Sequence, residues 1–349
     1  RPRRTVVVAC GLWLVGFGGA LVYGVVTVRA GSPPWEPGGP AAVQITVIQT
    51  NVPQSNKNSG TAEQRQKDWD ALFALTDAAL DESPHANLVV WPETMVLRPI
   101  NDEFVFILDD WIEAGARAVE DGSWDDDKEL RNMVGRSMAE RAYRDRLDAY
   151  VAGSRVPMIV GGRAKFVADD DRLMNSAFLI EPGADSYPRY SKQQLVPFGE
   201  YIPGPGWIKS YFIEHLSPYG PGVDYTLRPG ERATVFEVEV DRGDVSDLAS
   251  LPESFRAAAP ICFEDVVGHL CRDMVYGNTG EKRVDVLVNV TNDGWFAGTH
   301  QGWQHMQIAS LRCIENRVPM VRSVNTGVSG FIVFSCRVAL GVVADGKLQ

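Results

Sequence analysis

Three residues in this chain carry the side chains that acyl transfer requires, and each follows a strand-like run. Glu93 comes after the apolar run LVVW and Pro92, Lys192 after a short run ending at Tyr190, and Cys262 closes APIC ahead of the acidic segment FED. A carboxylate can take a thiol proton as general base, the thiolate can attack a carbonyl carbon, and an ammonium can stabilise the tetrahedral oxyanion. Taken singly, Glu93 and Lys192 also fit surface ion pairs, and Cys262 fits a structural core position. What argues for a site is three strand ends that can converge, since layered α/β folds build their sites at the carboxyl ends of strands. A thiol at a strand-to-helix turn also meets the positive end of a helix, so a lowered pKa is expected for Cys262.

The elements that must position these groups are read from periodicity. Residues 43–49 and 86–91 read as strands flanking a helix at 62–80, a βαβ opening whose second strand stops at Pro92. Residues 102–150 are acidic and patterned as one or two amphipathic helices, with Trp111, Ile112, Met133, Val134, Met138 and Tyr143 as the expected buried stripe. Strands come next at 157–161 and 175–180, and the charged stretch 241–256 reads as a surface insertion. The last third alternates most regularly: strand 258–262, helix 264–276, strand 285–290, helix Gln301–Asn316, strand Met320–Val324 and strand 330–335. Strands and helices alternate throughout, with several antiparallel-looking pairs, which predicts an α/β layered fold.

Composition narrows the function classes. A formal net charge of -11 and 23% charged residues argue against a nucleic-acid partner, because phosphate binding needs clustered Lys and Arg. Residues 5–28 contain no charge and come after Arg1, Arg3 and Arg4. As a helix of roughly 36 Å they can cross a hydrocarbon core of about 30 Å, placing the residues beyond 30 outside the cytoplasm. A secretory signal is the other reading, with the small residues Val28 and Ala30 before Gly31 resembling a cleavage site. The expected organisation is a membrane helix over 1–30, a Pro- and Gly-rich linker over 31–41, a catalytic domain over 42–340, and residues 341–349 leading towards a further membrane helix. Five cysteines without C-x-x-C, and His300 and His305 outside any H-E-x-x-H pattern, predict neither a zinc site nor a redox pair.

Five blocks, in order, carry a resemblance: WPET at 91–94, YSKQQLVPFGEYIP at 190–203, ICFED at 261–265, NVTNDGWF at 289–296, and QHMQIASLRCIENRVPMVRSVNTGVSG at 304–330. Together they resemble the apolipoprotein N-acyltransferase family, of the nitrilase or carbon-nitrogen hydrolase superfamily, over roughly residues 42–340. The resemblance implies a nitrilase-like four-layer α-β-β-α sandwich preceded by a transmembrane helix, in a multi-pass protein of the inner membrane with its catalytic domain facing the periplasm or outside. Residues 5–28 then look like the last helix of a leading set. It implies a catalytic triad of Glu93, Lys192 and Cys262, supported by Glu200 of VPFGEY and by Phe263 and Glu264 beside the nucleophile. A phospholipid would acylate Cys262, and the thioester would pass its acyl chain to the α-amine of a diacylated apolipoprotein, with no cofactor and no metal. A nitrilase-type amidase, with water as acceptor, uses the same trio.

Three features depart from the family pattern: Phe263 stands where tyrosine is common, Glu93 and Lys192 lie 99 positions apart, and Arg317-Val318-Pro319 replaces a more usual Arg-Pro order. Asn289, Asn292 and Asp293 are expected to shape a loop, and Trp295, Trp303 and His305 to pack. The segment 201–219 joins Trp207, Ile208, Tyr211 and Phe212 to Gly204 and Gly206. It reads either as core or as an amphipathic flap that contacts lipid.

Overall fold

In the computed structural model, residues 2–31, 43–166, 170–217, 220–241, 252–296, 298–333, 338–339, 343–344 and 347–348 are described. The chain divides into two compact units, Arg1–Ala42 and Val43–Gln349. In the first, α1 (Pro2–Gly31) runs unbroken through the uncharged stretch, with Leu12, Trp13 and Val15 exposed. Among the described residues no helix is long and apolar enough to cross a membrane. The expected span therefore rests on the sequence pattern of residues 5–28 alone. Apart from Gly31, the linker lies outside the described residues, as does most of the insertion at 241–256.

The second unit holds two mixed sheets. The first has the order β1-β2-β3-β4-β5, built from β1 (Ile45–Val47), β2 (Leu88–Pro99), β3 (Met158–Phe166), β4 (Asp170–Ile180) and β5 (Arg189–Ser191). Strands β1 to β3 are parallel, and β4 and β5 continue antiparallel. The second contains β6 (Phe236–Glu239), β7 (Ser254–Ala258), β8 (Val286–Thr291), β9 (Met320–Val324), β10 (Gly330–Ile332) and β11 (Val338–Ala339), with a parallel centre at β7, β8 and β9. Strand β2 packs against β8 and β9. The Ser323 hydroxyl donates to the carbonyls of Ile48 (2.9 Å) and Val90 (3.0 Å), fastening one sheet to the other.

Strand β2 does not stop at Pro92. It continues to Pro99 because its register with β3 shifts between Trp91 and Val96, so the N–H that proline lacks falls in a bulge where no ladder bond is forfeited. Thr94 takes φ +53 there. Gly161 of β3 makes room: a Cβ at that position would stand 2.2 Å from the Pro92 carbonyl oxygen.

Outside this sheet lie α3 (Ala62–Glu82) and α5 (Lys128–Ser154), whose Trp69, Leu72, Phe73, Leu147 and Val151 join Val89, Trp91, Val160 and Phe178 in one core. With α4 (Asp102–Asp121), α5 accounts for the acidic 102–150 region, but the buried stripe differs from expectation. Of the six residues named, only Val134 is buried; Trp111 and Met138 are exposed, and Ile112, Met133 and Tyr143 are half-buried. The interface instead uses Gly115, against which Val134 packs so closely that a Cβ would meet it at 2.7 Å. Arg144 is buried by stacking on Tyr187, 3.2 Å from the ring centroid, and by donating to the Ile100 carbonyl at 2.6 Å. Simple apolar counting misses both devices.

On the second sheet, helix 264–276 is in fact two pieces, a 3-10 turn Cys262–Val266 and α7 (Gly268–Tyr276). Helix α8 (Gln301–Asn316) and strand β9 lie where periodicity places them.

Candidate active site

Glu93 sits in the bulge of β2, almost fully buried, and Lys192 comes just after β5 with 1% of its surface exposed. The Lys192 main chain is fixed from both sides: its N–H donates to the Asn175 carbonyl (2.8 Å), and its carbonyl accepts from Gly230 N–H (2.8 Å). Its Nζ lies 2.9 Å from Glu200 Oε1 and 3.5 Å from Glu93 Oε1. Asn175 of β4 donates to both carboxylates, at 2.6 Å to Glu93 and 3.2 Å to Glu200. Glu200 also accepts from Val196 N–H at 2.9 Å, closing the LVPFGEY loop on itself. Burial by itself pushes the Lys192 ammonium down; Glu200 and then Glu93 outweigh it and hold it well above the ordinary lysine value. Lys192 is thus a permanent cation at neutral pH.

Cys262 opens the 3-10 turn with φ +49, a left-handed conformation uncommon for a side chain with a Cβ. It is half-buried, with Cys271 and Cys313 fully buried beyond it. Burial, and next the charge of Glu93, push the Cys262 thiol up, while Lys192 pulls it back only in part. The lowered pKa expected at a helix start is therefore overturned. No α-helix begins at Cys262, since α7 starts six residues later, and desolvation of the thiolate outweighs the short turn. A resting thiol at this site needs a base.

Glu264, two residues on, is fully buried and ties the Cys262 turn to the lysine loop. It accepts from Ile261 N–H (2.8 Å), Gln193 N–H (2.7 Å), Gln194 N–H (3.0 Å) and the Tyr190 hydroxyl (2.8 Å). Phe263 between them points out, 36% exposed. Behind the turn, His305 bonds Asp265 and Asp293 through its two ring nitrogens, each at 2.7 Å, and Arg322 reaches both carboxylates and Asn289. Asn292 accepts from Gly294 N–H and from Asn325 Nδ2, the loop-shaping role expected for it. Trp295 and Trp303, expected to pack, are instead about half exposed, Trp295 on a short 3-10 turn and Trp303 in the first turn of α8.

Sequence reasoning passed over Asn175, Asp265 and Arg322. An amide inside a strand and an arginine inside an apolar one carry no local signature. The segment 201–219 forms α6 (Gly206–His215), which buries none of its residues. Trp207 is 73% and Tyr211 56% exposed, Ile208 and Phe212 are half-buried, and Phe212 packs on Phe198 with ring centroids 5.4 Å apart. Gly204, at φ +106, turns the chain into it, and residues 218 and 219 lie outside the described set.

Residues 41–341 match the carbon-nitrogen hydrolase family. The chain belongs to the carbon-nitrogen hydrolase family. Its two mixed sheets are that family's nitrilase-like α/β fold, and the protein is an enzyme of that superfamily. Among similar curated proteins, Apolipoprotein N-acyltransferase of Geobacter metallireducens is 26% identical over 308 residues, covering 85% of this chain and 44% of that protein. Apolipoprotein N-acyltransferase of Sinorhizobium medicae is 27% identical over 326 residues, covering 90% of this chain and 50% of the other. The chain thus spans about half the length of the curated relatives it matches. Among solved structures, Nit3 of Saccharomyces cerevisiae, a member of branch 10 of the nitrilase superfamily, aligns with a TM-score of 0.48 at 11% identity, covering 85% of this chain and 84% of that one.

Proposed function

We propose that this carbon-nitrogen hydrolase is an apolipoprotein N-acyltransferase working by a two-step exchange through Cys262. Glu93 takes the Cys262 proton, and the thiolate attacks the ester carbonyl of a phospholipid, with Lys192 facing the oxyanion. Collapse breaks the ester C–O bond. The lysophospholipid alkoxide leaves with the proton held by Glu93, and the acyl group remains as a thioester. The α-amine of a diacylated apolipoprotein then attacks the thioester, an amide forms, and Cys262 recovers its proton. Glu200 holds Lys192, Glu264 holds the nucleophile turn, and Phe263 borders the entrance.

One observation carries the reading. A buried ammonium shared by Glu93 and Glu200 acts electrostatically on a thiol that burial keeps protonated, which is the charge arrangement that a base-assisted thiol nucleophile needs. The names of the relatives support a lipoprotein acceptor over water and favour transfer over amide hydrolysis. The uncharged run 5–28 supports a membrane helix before a catalytic domain at 42–340, in the inner membrane with the domain outside the cytoplasm. The two packed sheets, with α3 and α5 on one outer face, support the four-layer α-β-β-α arrangement. Exposed Trp207 and Tyr211, with Ile208 and Phe212 beside them, support a lipid-contacting flap.

Incubation with a defined phospholipid, then peptide mass spectrometry, tests the proposal. The expected result is an acyl mass on the Cys262 peptide that Cys262→Ala lacks. An acyl mass on Cys271 or Cys313 instead, or turnover of small amides as fast as of phospholipid, would overturn it.

A further inference from the structure

A second lysine stands beside Glu93, and the mechanism above leaves it unused. Lys57 lies on α2 (Gln54–Ser59), and its Nζ donates to the main-chain carbonyl of Glu93 at 3.1 Å. That carbonyl is in the bulge of β2, where the ladder to β3 is interrupted between Trp91 and Val96. A partly buried carbonyl left unbonded is destabilising, so Lys57 supplies the partner that the sheet does not.

Lys57 is held in place by contacts from far along the chain. Asn325 accepts from Val52 N–H and donates to the Val52 carbonyl, each at 2.9 Å, and Asn51 N–H donates to the Asn325 carbonyl at 2.7 Å. Asn292 donates to Gln54 Oε1 at 2.8 Å, and Asn56 donates to Asp68 on α3 at 3.1 Å. The segment that delivers the lysine is therefore fastened to the ends of β8 and β9 on one side and to α3 on the other.

Resting on the acyl-transfer reading, we infer that Lys57 is a positioning residue for the general base: it fixes the Glu93 main chain in the bulge and sets a positive charge behind the carboxylate and the Cys262 thiol. The charged and titratable groups facing it are Glu93 on β2, Arg163 on β3, the Cys262 thiol and Asp68 on α3. Burial, with some help from Arg163, pushes the Lys57 ammonium down to about 7, while Glu93, Cys262 and Asp68 oppose the fall. Lys57 accordingly loses its charge as pH rises through neutrality, and an arginine in its place keeps its charge. The cavity beside it, lined by Asn56, Arg65, Asp68, Thr94 and Met95, leaves room for the longer side chain.

The test is the rate of Cys262 alkylation by iodoacetamide in the full chain, from about pH 5.5 to about 8.5, in wild type, Lys57→Met and Lys57→Arg, with Cys262→Ala as blank. Lys57→Met is expected to slow alkylation roughly tenfold at about pH 6, the size of one unit of charge preference. The rate of Lys57→Arg relative to wild type is expected to rise severalfold across neutrality. Should Lys57→Met fail to fold, the Lys57→Arg ratio decides alone. A ratio flat with pH, or a folded Lys57→Met that reacts at the wild-type rate, overturns the inference. Iodoacetamide needs no lipid, so this result is separate from the acyl-transfer reading, which the phospholipid labelling and amide-turnover outcomes decide.

Discussion

Lys192 illustrates how a charge survives burial. Taking an ammonium out of water costs several kcal/mol, which only close counter-charges and satisfied hydrogen bonds offset. Here Glu200, Glu93 and Asn175 supply them. Two substitutions separate the roles in this cluster. Glu93→Gln keeps the Asn175 contact while removing the proposed base, so single-turnover acylation of Cys262 should fall by about 10² to 10⁴ with little change in the urea midpoint. Lys192→Met leaves two carboxylates facing each other, so it should lose acylation and also about 3–5 kcal/mol of stability. Adding Glu200→Gln should restore part of the stability without restoring the chemistry. At this scale the sequence discloses the residue types proposed to react, because strand ends and acidic turns are local patterns. The direction of the Cys262 shift is not legible, because desolvation depends on what the rest of the chain packs over the thiol.

Among elements, the bulge in β2 and helix α6 matter most. The bulge persists only because β3 offers no side chain at Gly161. Gly161→Ala should cost about 1–3 kcal/mol in urea unfolding, as overpacking does, and should slow Cys262 acylation more than a surface change of equal destabilisation. Pro92 makes this element hard to read from sequence: a proline ordinarily ends a strand, and only the register shift explains why this one does not. Helix α6 contributes little to any core, since it buries no residue. Trp207→Ala combined with Phe212→Ala should therefore leave the melting temperature nearly unchanged and slow acylation by bilayer phospholipid, while sparing reaction with a short-chain soluble ester. Equal loss of both activities, or unfolding, would show that α6 is structural.

For the whole molecule, β9 and α8 were the most legible elements, since both fall within their predicted bounds, whereas β7 lies at Ser254–Ala258 rather than 258–262, and the acidic 102–150 region was the least legible. Its helices pack through a glycine and a stacked arginine, which hydrophobic periodicity does not count. The packing of α8 against the two 3-10 turns that carry Asp265 and Asp293 also makes stability depend on pH through His305. Burial alone pushes its imidazolium down, but the bonds to Asp265 and Asp293 win and raise it to about 9. A raised value means that the stabilisation is full below about 6.5 and is lost as pH rises through about 9. Melting temperatures measured across that window should decline for the wild type, and the decline should be smaller in His305→Gln.

Asn325 bonds to Val52 across 273 positions of sequence, and this has a bearing on biosynthesis. Contacts of that separation form late, because the chain between them must be ordered first. The arm that braces Glu93 is thus fastened only after most of the chain has left the ribosome, and Cys262 is already synthesised by then. If the proposed acyl transfer holds, a nascent chain carries the thiol before the Glu93 arm is braced, so reactivity is expected only as folding completes.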